Sequence, residues 1–340
     1  MQACFSFFRR VWIWAMLGLP TVLVAQPSAS DEAGFSFLRI EPSARAMSLG
    51  GAFVGVTNDV NAMFANPATL NEASARQFSL SMLNHLADVR FTTAAYGYDL
   101  KSIGTLAVGI RNVDYGTLSA SDCTQVYTPD VCERIDYNPE NTASAADRAL
   151  TIGLSRAYNP KIRYGLNIHG IWSNIGDARA RAIAADAGVV YNDQAHQFVV
   201  SAAVLNYGRT LKSLGTTEDQ LPLDVRIGAS KRLQYMPFTA HVMFYNLNTL
   251  AEKKGTDLGK ALTSGDYLTL GGEFHLGTAM AIRLGYNPLR GNAFSSGKRL
   301  DLAGLGFGFG LQISRFRLDY GYNNWSSAGR LHQLSVQSKL

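Results

Sequence analysis

The sequence predicts an all-β chain: a 14-stranded antiparallel transmembrane β-barrel preceded by an N-terminal plug or hatch segment. Three observations carry this. Behind residue 75, apolar residues alternate at a period of two with small, polar or charged ones, the signature of strands. The strands come in an even number, and their connections are tight after every even strand and often long after odd ones. The bulk composition fits a surface that faces something other than water: of 340 residues only 17% are charged, against about a quarter in soluble domains, and 32 are glycine.

The chain opens as an export signal over 1–25. Arg9 and Arg10 precede the apolar run "VWIWAMLGLPTVLVA", and Leu23-Val24-Ala25 suits cleavage before Gln26. That run is shorter than the roughly twenty residues a spanning helix needs, and no Cys follows the cleavage point to carry a lipid. The formal charge of +5 is scattered, with no basic footprint for nucleic acid.

Residues 26–74 form the second unit. The stretch "EPSARAMSLGGAFVGVTNDVNAMFANPATL" lacks sustained alternation. Pro42 or Ser43 can start a short helix, Gly50-Gly51 permits a tight turn, and Asn66-Pro67-Ala68 suits a turn or helix start. A barrel of this size leaves an interior that wall side chains alone do not fill, so this segment is expected inside or just under it.

Residues 75–340 form the barrel. Strands are expected near 76–84, 91–99, 102–112, 147–158, 161–173, 179–191, 195–206, 221–233, 237–248, 266–276, 278–287, 301–314, 315–323 and 330–340. In 302–313, Gly304, Gly306, Gly308 and Gly310 share one face, and Leu305, Phe307, Phe309, Leu311 and Ile313 the other. The long connections are expected at 113–146, 207–220, 249–265, 288–300 and 324–329. Even strand number, short turns at one end and apolar-out, polar-in strands describe a bacterial outer-membrane barrel with both termini periplasmic and the long loops outside. Tyr96, Tyr98, Trp172, Tyr191, Tyr245, Tyr286 and Trp325 are expected to supply interfacial girdles. Arg163, Glu273, His275, Arg283, Arg317 and Asp319 are expected on the interior as a polar network. Cys123 and Cys132, a close pair in an exported chain, are expected to form a disulfide pinning the longest external loop; zinc would need about four ligands and no His lies near.

No Gly-x-Ser-x-Gly elbow, HExxH or Walker loop is present, and the six histidines are dispersed, so the reading is a non-enzyme with no cofactor, metal or catalytic residue assigned. The inward glycines make room either for the hatch or for a ligand.

The N-terminal segment resembles the signature of the PorV/PorQ family, outer-membrane proteins of the type IX secretion system. That family is itself similar to the FadL long-chain fatty-acid transporters, fourteen-stranded barrels with an N-terminal hatch. The pattern is Ser43-Ala44-Arg45, Leu49-Gly50-Gly51-Ala52, Asp59 and Asn66-Pro67-Ala68. "FRLDYGYNNWSSAGRLHQLSVQSKL", with Gly329 and His332, also looks like the family's C-terminus, and the chain length and "FSFLRIEPSARA" look PorQ-like. The chain departs from many outer-membrane barrels by ending Lys339-Leu340 without a terminal aromatic. The resemblance implies a role in secretion and cell-surface attachment through protein contacts: a sortase-like protease, a lipopolysaccharide-binding partner and a PorV-like barrel, with outer-membrane lipid around the wall. The alternative is a FadL-like transporter of long-chain fatty acids or other hydrophobic compounds. The charged inner face near Arg283, Glu273, Arg317 and Asp319 departs from the greasy path such a transporter should have.

Overall fold

The computed structural model describes residues 34–71, 74–85, 89–128, 131–215, 219–252, 265–294, 302–326 and 329–340; the side chains of 117–142, 250–252 and 294 lie outside that description. The wall consists of β1 (Gln77–Asn84), β2 (Arg90–Asp99), β3 (Thr105–Thr128), β4 (Val131–Ala157), β5 (Ile162–Ile175), β6 (Ala178–Asp193), β7 (Phe198–Lys212), β8 (Asp224–Arg232), β9 (Phe238–Phe244), β10 (Leu268–Leu276), β11 (Met280–Tyr286), β12 (Leu305–Ile313), β13 (Phe316–Asn324) and β14 (Arg330–Lys339). Each strand pairs with its sequence neighbours, and β1 pairs antiparallel with β14, so the sheet closes. Closure leaves no strand edge, which is what allows a sheet to sit in hydrocarbon. No helix among the described residues is long and apolar enough to cross a membrane.

The alternation sets the two faces. On β12, Phe307 and Phe309 point outward and Gly306, Gly308 and Gly310 inward; on β1, Phe78, Leu80 and Met82 point out while Ser79 and Ser81 are buried inside. Register keeps these sets aligned across neighbours, since directly paired residues share a face: Arg283 stands opposite both Glu273 and Gly308.

All fourteen strands lie where the alternation places them, but two features of the loops differ. The expected loop at 113–146 is a continuation of the β3–β4 ladder up to Thr128 opposite Val131, with several register shifts. A strand of 24 residues is more than twice the 9–11 a bilayer requires, so this hairpin projects beyond the membrane. Outside the membrane neither face needs to be apolar, so no alternation marks it. The segments after β9 and β11 form short helices, Leu247–Glu252 and Pro288–Phe294.

The described residues ahead of β1, from 34 onward, run inside the closed sheet. The only α-helix among these described residues, α1 (Ala44–Ser48), packs on β11–β14. A 3-10 turn at Val60–Phe64 packs on β1–β3, and a second at Pro67–Thr69 on β4–β6, so the segment crosses from one wall to the other. These three start on a side-chain cap, unlike the 3-10 turn at Ser36–Arg39: Ser43 accepts from the Ala46 amide, Asp59 from Asn61 and Asn66 from Ala68. Gly50 and Gly51, at φ 66 and 94, take the left-handed backbone that reverses the chain after α1.

Candidate functional site: the filled lumen

The wall glycines are the seat of this segment. A Cβ on Gly285 would collide with the backbone of Leu49 and Gly50, and one on Gly308 with Ser48. Gly165 and Gly188 make the same allowance for Asn66 and Pro67 on the far wall. On β12, Gly306 and Gly308 are therefore covered by the chain's own α1, and Gly310 by the side chains of Arg283 and Asp319, so this face is not an open path for a ligand.

Asn66 is fully buried; its amide nitrogen lies 3.3–3.4 Å from the carbonyls of Val54, Val189 and Ala202. The Ala44 amide donates to Ser335 Oγ at 2.8 Å. Gln337 Nε2 donates to Asp59 Oδ1 at 2.7 Å, and Asn167 Nδ2 to the Met63 carbonyl at 2.9 Å. Polar wall residues thus satisfy backbone groups that the short turns leave open.

An ionic network joins the segment to the wall at the tight-turn end. Arg45 of α1 donates from Nε and Nη2 to the two oxygens of Glu273 on β10, at 3.0 and 2.5 Å. Arg283 on β11 donates to Glu273 at 2.7 Å and to Asp319 on β13 at 2.8 Å. Arg317 completes the chain to Asp319 at 2.9 Å, and Asp59 lies 3.5 Å from Arg45. Three guanidiniums face three carboxylates, so the group is neutral as a whole. Burial by itself pushes the Arg45 guanidinium down, but Glu273, Asp59 and Asp319 reverse this and hold it above its ordinary value.

Of the residues the sequence marks as interior, Glu273, Arg283, Arg317 and Asp319 come together in this network. His275 lies beside it, 3.1 Å from Thr239 Oγ1. Arg163 also faces inward, but from β5 on another wall. Of the aromatics assigned to the girdles, Tyr245 instead points inside and donates to Asn287 at 3.1 Å, and Trp325 packs against the buried cluster under the long loops. The strand ladder ends at Phe244, so the parity of the next residue was set by inward Met243. Cys123 and Cys132 have side chains outside the described residues; the backbone register sets Cys123 opposite Ile135 and Cys132 opposite Val126.

Two buried hydroxyl–imidazole–carboxylate rows had no sequence signal, because their members lie on three different strands. In one, Thr151 Oγ1 is 2.8 Å from His169 Nδ1, and His169 Nε2 is 2.7 Å from Asp186. In the other, Ser230 Oγ is 2.8 Å from His241 Nδ1, and His241 Nε2 is 3.4 Å from Glu273. Thr151 and His169 have no exposed surface, so that hydroxyl is packed within the wall and is not presented to a substrate.

On the long-loop side of the segment lies a cavity of about 190 Å³. Leu38, Phe53, Phe64 and Met243 give it an apolar lining, and its charged neighbours are largely paired: Arg290 with Glu41, and Arg226 with Asp224 at 2.7 Å. Arg111 is different. It is 2% exposed, donates to the Leu38 carbonyl at 2.7 Å and lies over the Phe64 ring, with no carboxylate within ion-pair distance among the described residues.

The class that fold and lumen define is a closed fourteen-stranded transmembrane barrel with an inward-folded N-terminal segment. Solved structures share the barrel fold. The toluene transporter TbuX of Ralstonia pickettii is 12% identical, with a TM-score of 0.56 over 88% of this chain and 98% of that one. The P. putida toluene transporter TodX is 12% identical, with a TM-score of 0.51 over 88% and 98%. A Pseudomonas aeruginosa FadL homologue is 9% identical, with a TM-score of 0.50 over 87% and 98%. At these identities the likeness is one of fold. No protein-family model and no curated protein matches the chain.

Proposed function

We propose that this chain is an outer-membrane barrel that admits small apolar or amphipathic compounds from the side of its long loops, with residues 35–70 as the plug that must shift for passage. The observation that carries this reading is the cavity beside Arg111. Its volume of about 190 Å³ is close to the ~150 Å³ that accepts a benzene ring, and too small for a whole long acyl chain. A ring-sized compound fits entirely; a longer amphiphile enters by one end. Arg111 offers an uncompensated guanidinium to a carboxylate and, with Phe64, a flat face to a ring. The structural neighbours TbuX and TodX are toluene transporters, which favours the same class of compound.

The test is equilibrium binding of labelled toluene, benzoate and dodecanoate to the purified barrel and to Arg111→Gln. A charge-assisted hydrogen bond is worth ~1.5–3 kcal/mol, so the variant should lose about 10- to 100-fold for the two acids and little for toluene. Equal binding of all three compounds to both proteins, or none to either, rejects the reading.

The second reading is a PorQ-like scaffold of type IX secretion. The signature residues Arg45, Asp59 and Asn66 all serve to tie the lumen shut, which suits a barrel whose work is done by its outer loops. Gentle affinity purification from outer membranes, with protein and lipid mass spectrometry on one eluate, separates the two. Near-equal recovery of a sortase-like protease, a lipopolysaccharide-binding partner or a PorV-like barrel supports the scaffold; the barrel alone with a bound apolar compound supports the transporter.

A further inference from the structure

The outer wall carries a row of cations where a membrane protein should carry apolar side chains. Arg148 on β4 stands opposite Trp172 on β5, and Trp172 opposite Arg181 on β6. Arg179, two residues earlier on β6, extends the same face. All four are exposed, while Ala149, Ile171, Ala180 and Ala182 between them are buried, so the row points outward and not into the lumen. Together with Asn174 they line a groove of about 510 Å³ at the long-loop end of these strands. Arg148 donates to Asn112 Oδ1 at 3.1 Å. Neither it nor Arg179 or Arg181 has a carboxylate within ion-pair distance among the described residues, and Asp177 in the adjacent turn pairs with none of them.

Position decides what such a row can do. Toward the middle of the wall, the next outward residues are Leu150 on β4, Ile183 on β6 and, beyond Gly170, Ile168 on β5, all exposed and suited to acyl chains. Trp172 lies at the boundary, where tryptophan sits at headgroup level. An arginine at the bilayer midplane costs about 2–4 kcal/mol but almost nothing at the interface. Three guanidiniums at that level, with no carboxylate partner among the described residues and next to one indole, present forked donors at the height of lipid phosphates, a geometry that arginine matches with two parallel hydrogen bonds.

We propose that the outward groove formed by Arg148, Arg179 and Arg181 beside Trp172 binds the phosphorylated headgroup of an anionic lipid, whose acyl chains lie on Leu150, Ile168 and Ile183. With the long loops outside, that leaflet is the outer one, and the headgroup is a phosphorylated glycolipid of the lipid A kind. This rests on the membrane placement proposed above, and not on any transported compound.

The test uses the full chain purified in mild detergent, mixed with diphosphorylated lipid A or with the same lipid stripped of phosphates, and read by native mass spectrometry. The variants are Arg148→Gln/Arg179→Gln/Arg181→Gln and a charge-matched control at the tight-turn end, Arg156→Gln/Arg232→Gln/Arg315→Gln. Each basic residue beside an anionic lipid is worth about a fivefold factor, so the groove variant should bind the phosphorylated lipid about 100-fold more weakly and the control should not change. Heat-modifiable gel migration reports separately that each barrel is closed and membrane-competent; Arg181→Gln alone, expected at about fivefold, replaces the triple variant if that fails to close. Equal affinity for lipid with and without phosphates, or equal loss in the control, overturns the proposal.

Discussion

Glu273→Gln tests whether the ionic network holds α1 in place. Glu273 takes three charged hydrogen bonds, two from Arg45 and one from Arg283, at 2.5–3.0 Å. Its side chain and that of Arg283 are nearly inaccessible, and Arg45 is 6% exposed. The substitution leaves three guanidiniums against two carboxylates, a net buried positive charge. Removing one partner of a buried pair costs about 3–5 kcal/mol. Asp59 at 3.5 Å and Asp319 still face the remaining cations, so the lower end applies, about 3 kcal/mol, or roughly 150-fold in the equilibrium for releasing α1. The amides of Met47, Leu49, Gly50 and Gly51 are hydrogen-bonded within the segment, so release exposes them. Hydrogen exchange followed by mass spectrometry in detergent should show those amides about 100-fold faster, with β13 and β14 unchanged. A change below about fivefold refutes the reasoning. So does an Arg45→Gln/Glu273→Gln double variant as loose as Glu273→Gln alone, because the double change restores charge balance.

Three further outcomes follow from the packing. Gly285→Ala forces a methyl group into the Leu49–Gly50 backbone; it should cost about 1–3 kcal/mol of segment docking, read as protease cleavage within 44–51 while the barrel stays closed. Asn66→Ala removes the cap on Ala68 and should cost about 1–2 kcal/mol, read as faster exchange of the Ala68 and Thr69 amides with α1 unaffected. Thiol labelling of the purified chain without reductant should find Cys123 and Cys132 unreactive, and reactive after reduction; labelling before reduction rejects the disulfide.

The wall was legible in the chain because its cause is local. A strand buried against lipid on one face must alternate, and the period of two in Gly306–Ile313 or Phe316–Asn324 records that without reference to any partner. The starts at Ser43 and Asn66 were legible for the same reason, since each cap acts within three residues of itself, whereas the cap supplied by Asp59 came only with the structure. The extended β3–β4 hairpin was not, because beyond the membrane no face needs to be apolar. Nor could the alternation say what the glycines were for: whether Gly285 and Gly308 leave room for a ligand or for the chain itself depends on where Leu49 and Ser48 arrive. The pairing of Arg45 with Glu273, 228 residues away, and the absence of such a partner for Arg111 among the described residues, depend on which strands closure brings face to face. Charge appears in the sequence one residue at a time. Its compensation is a property of three-dimensional distance, and it emerges only when the barrel closes around the segment from Ser36 to Leu70.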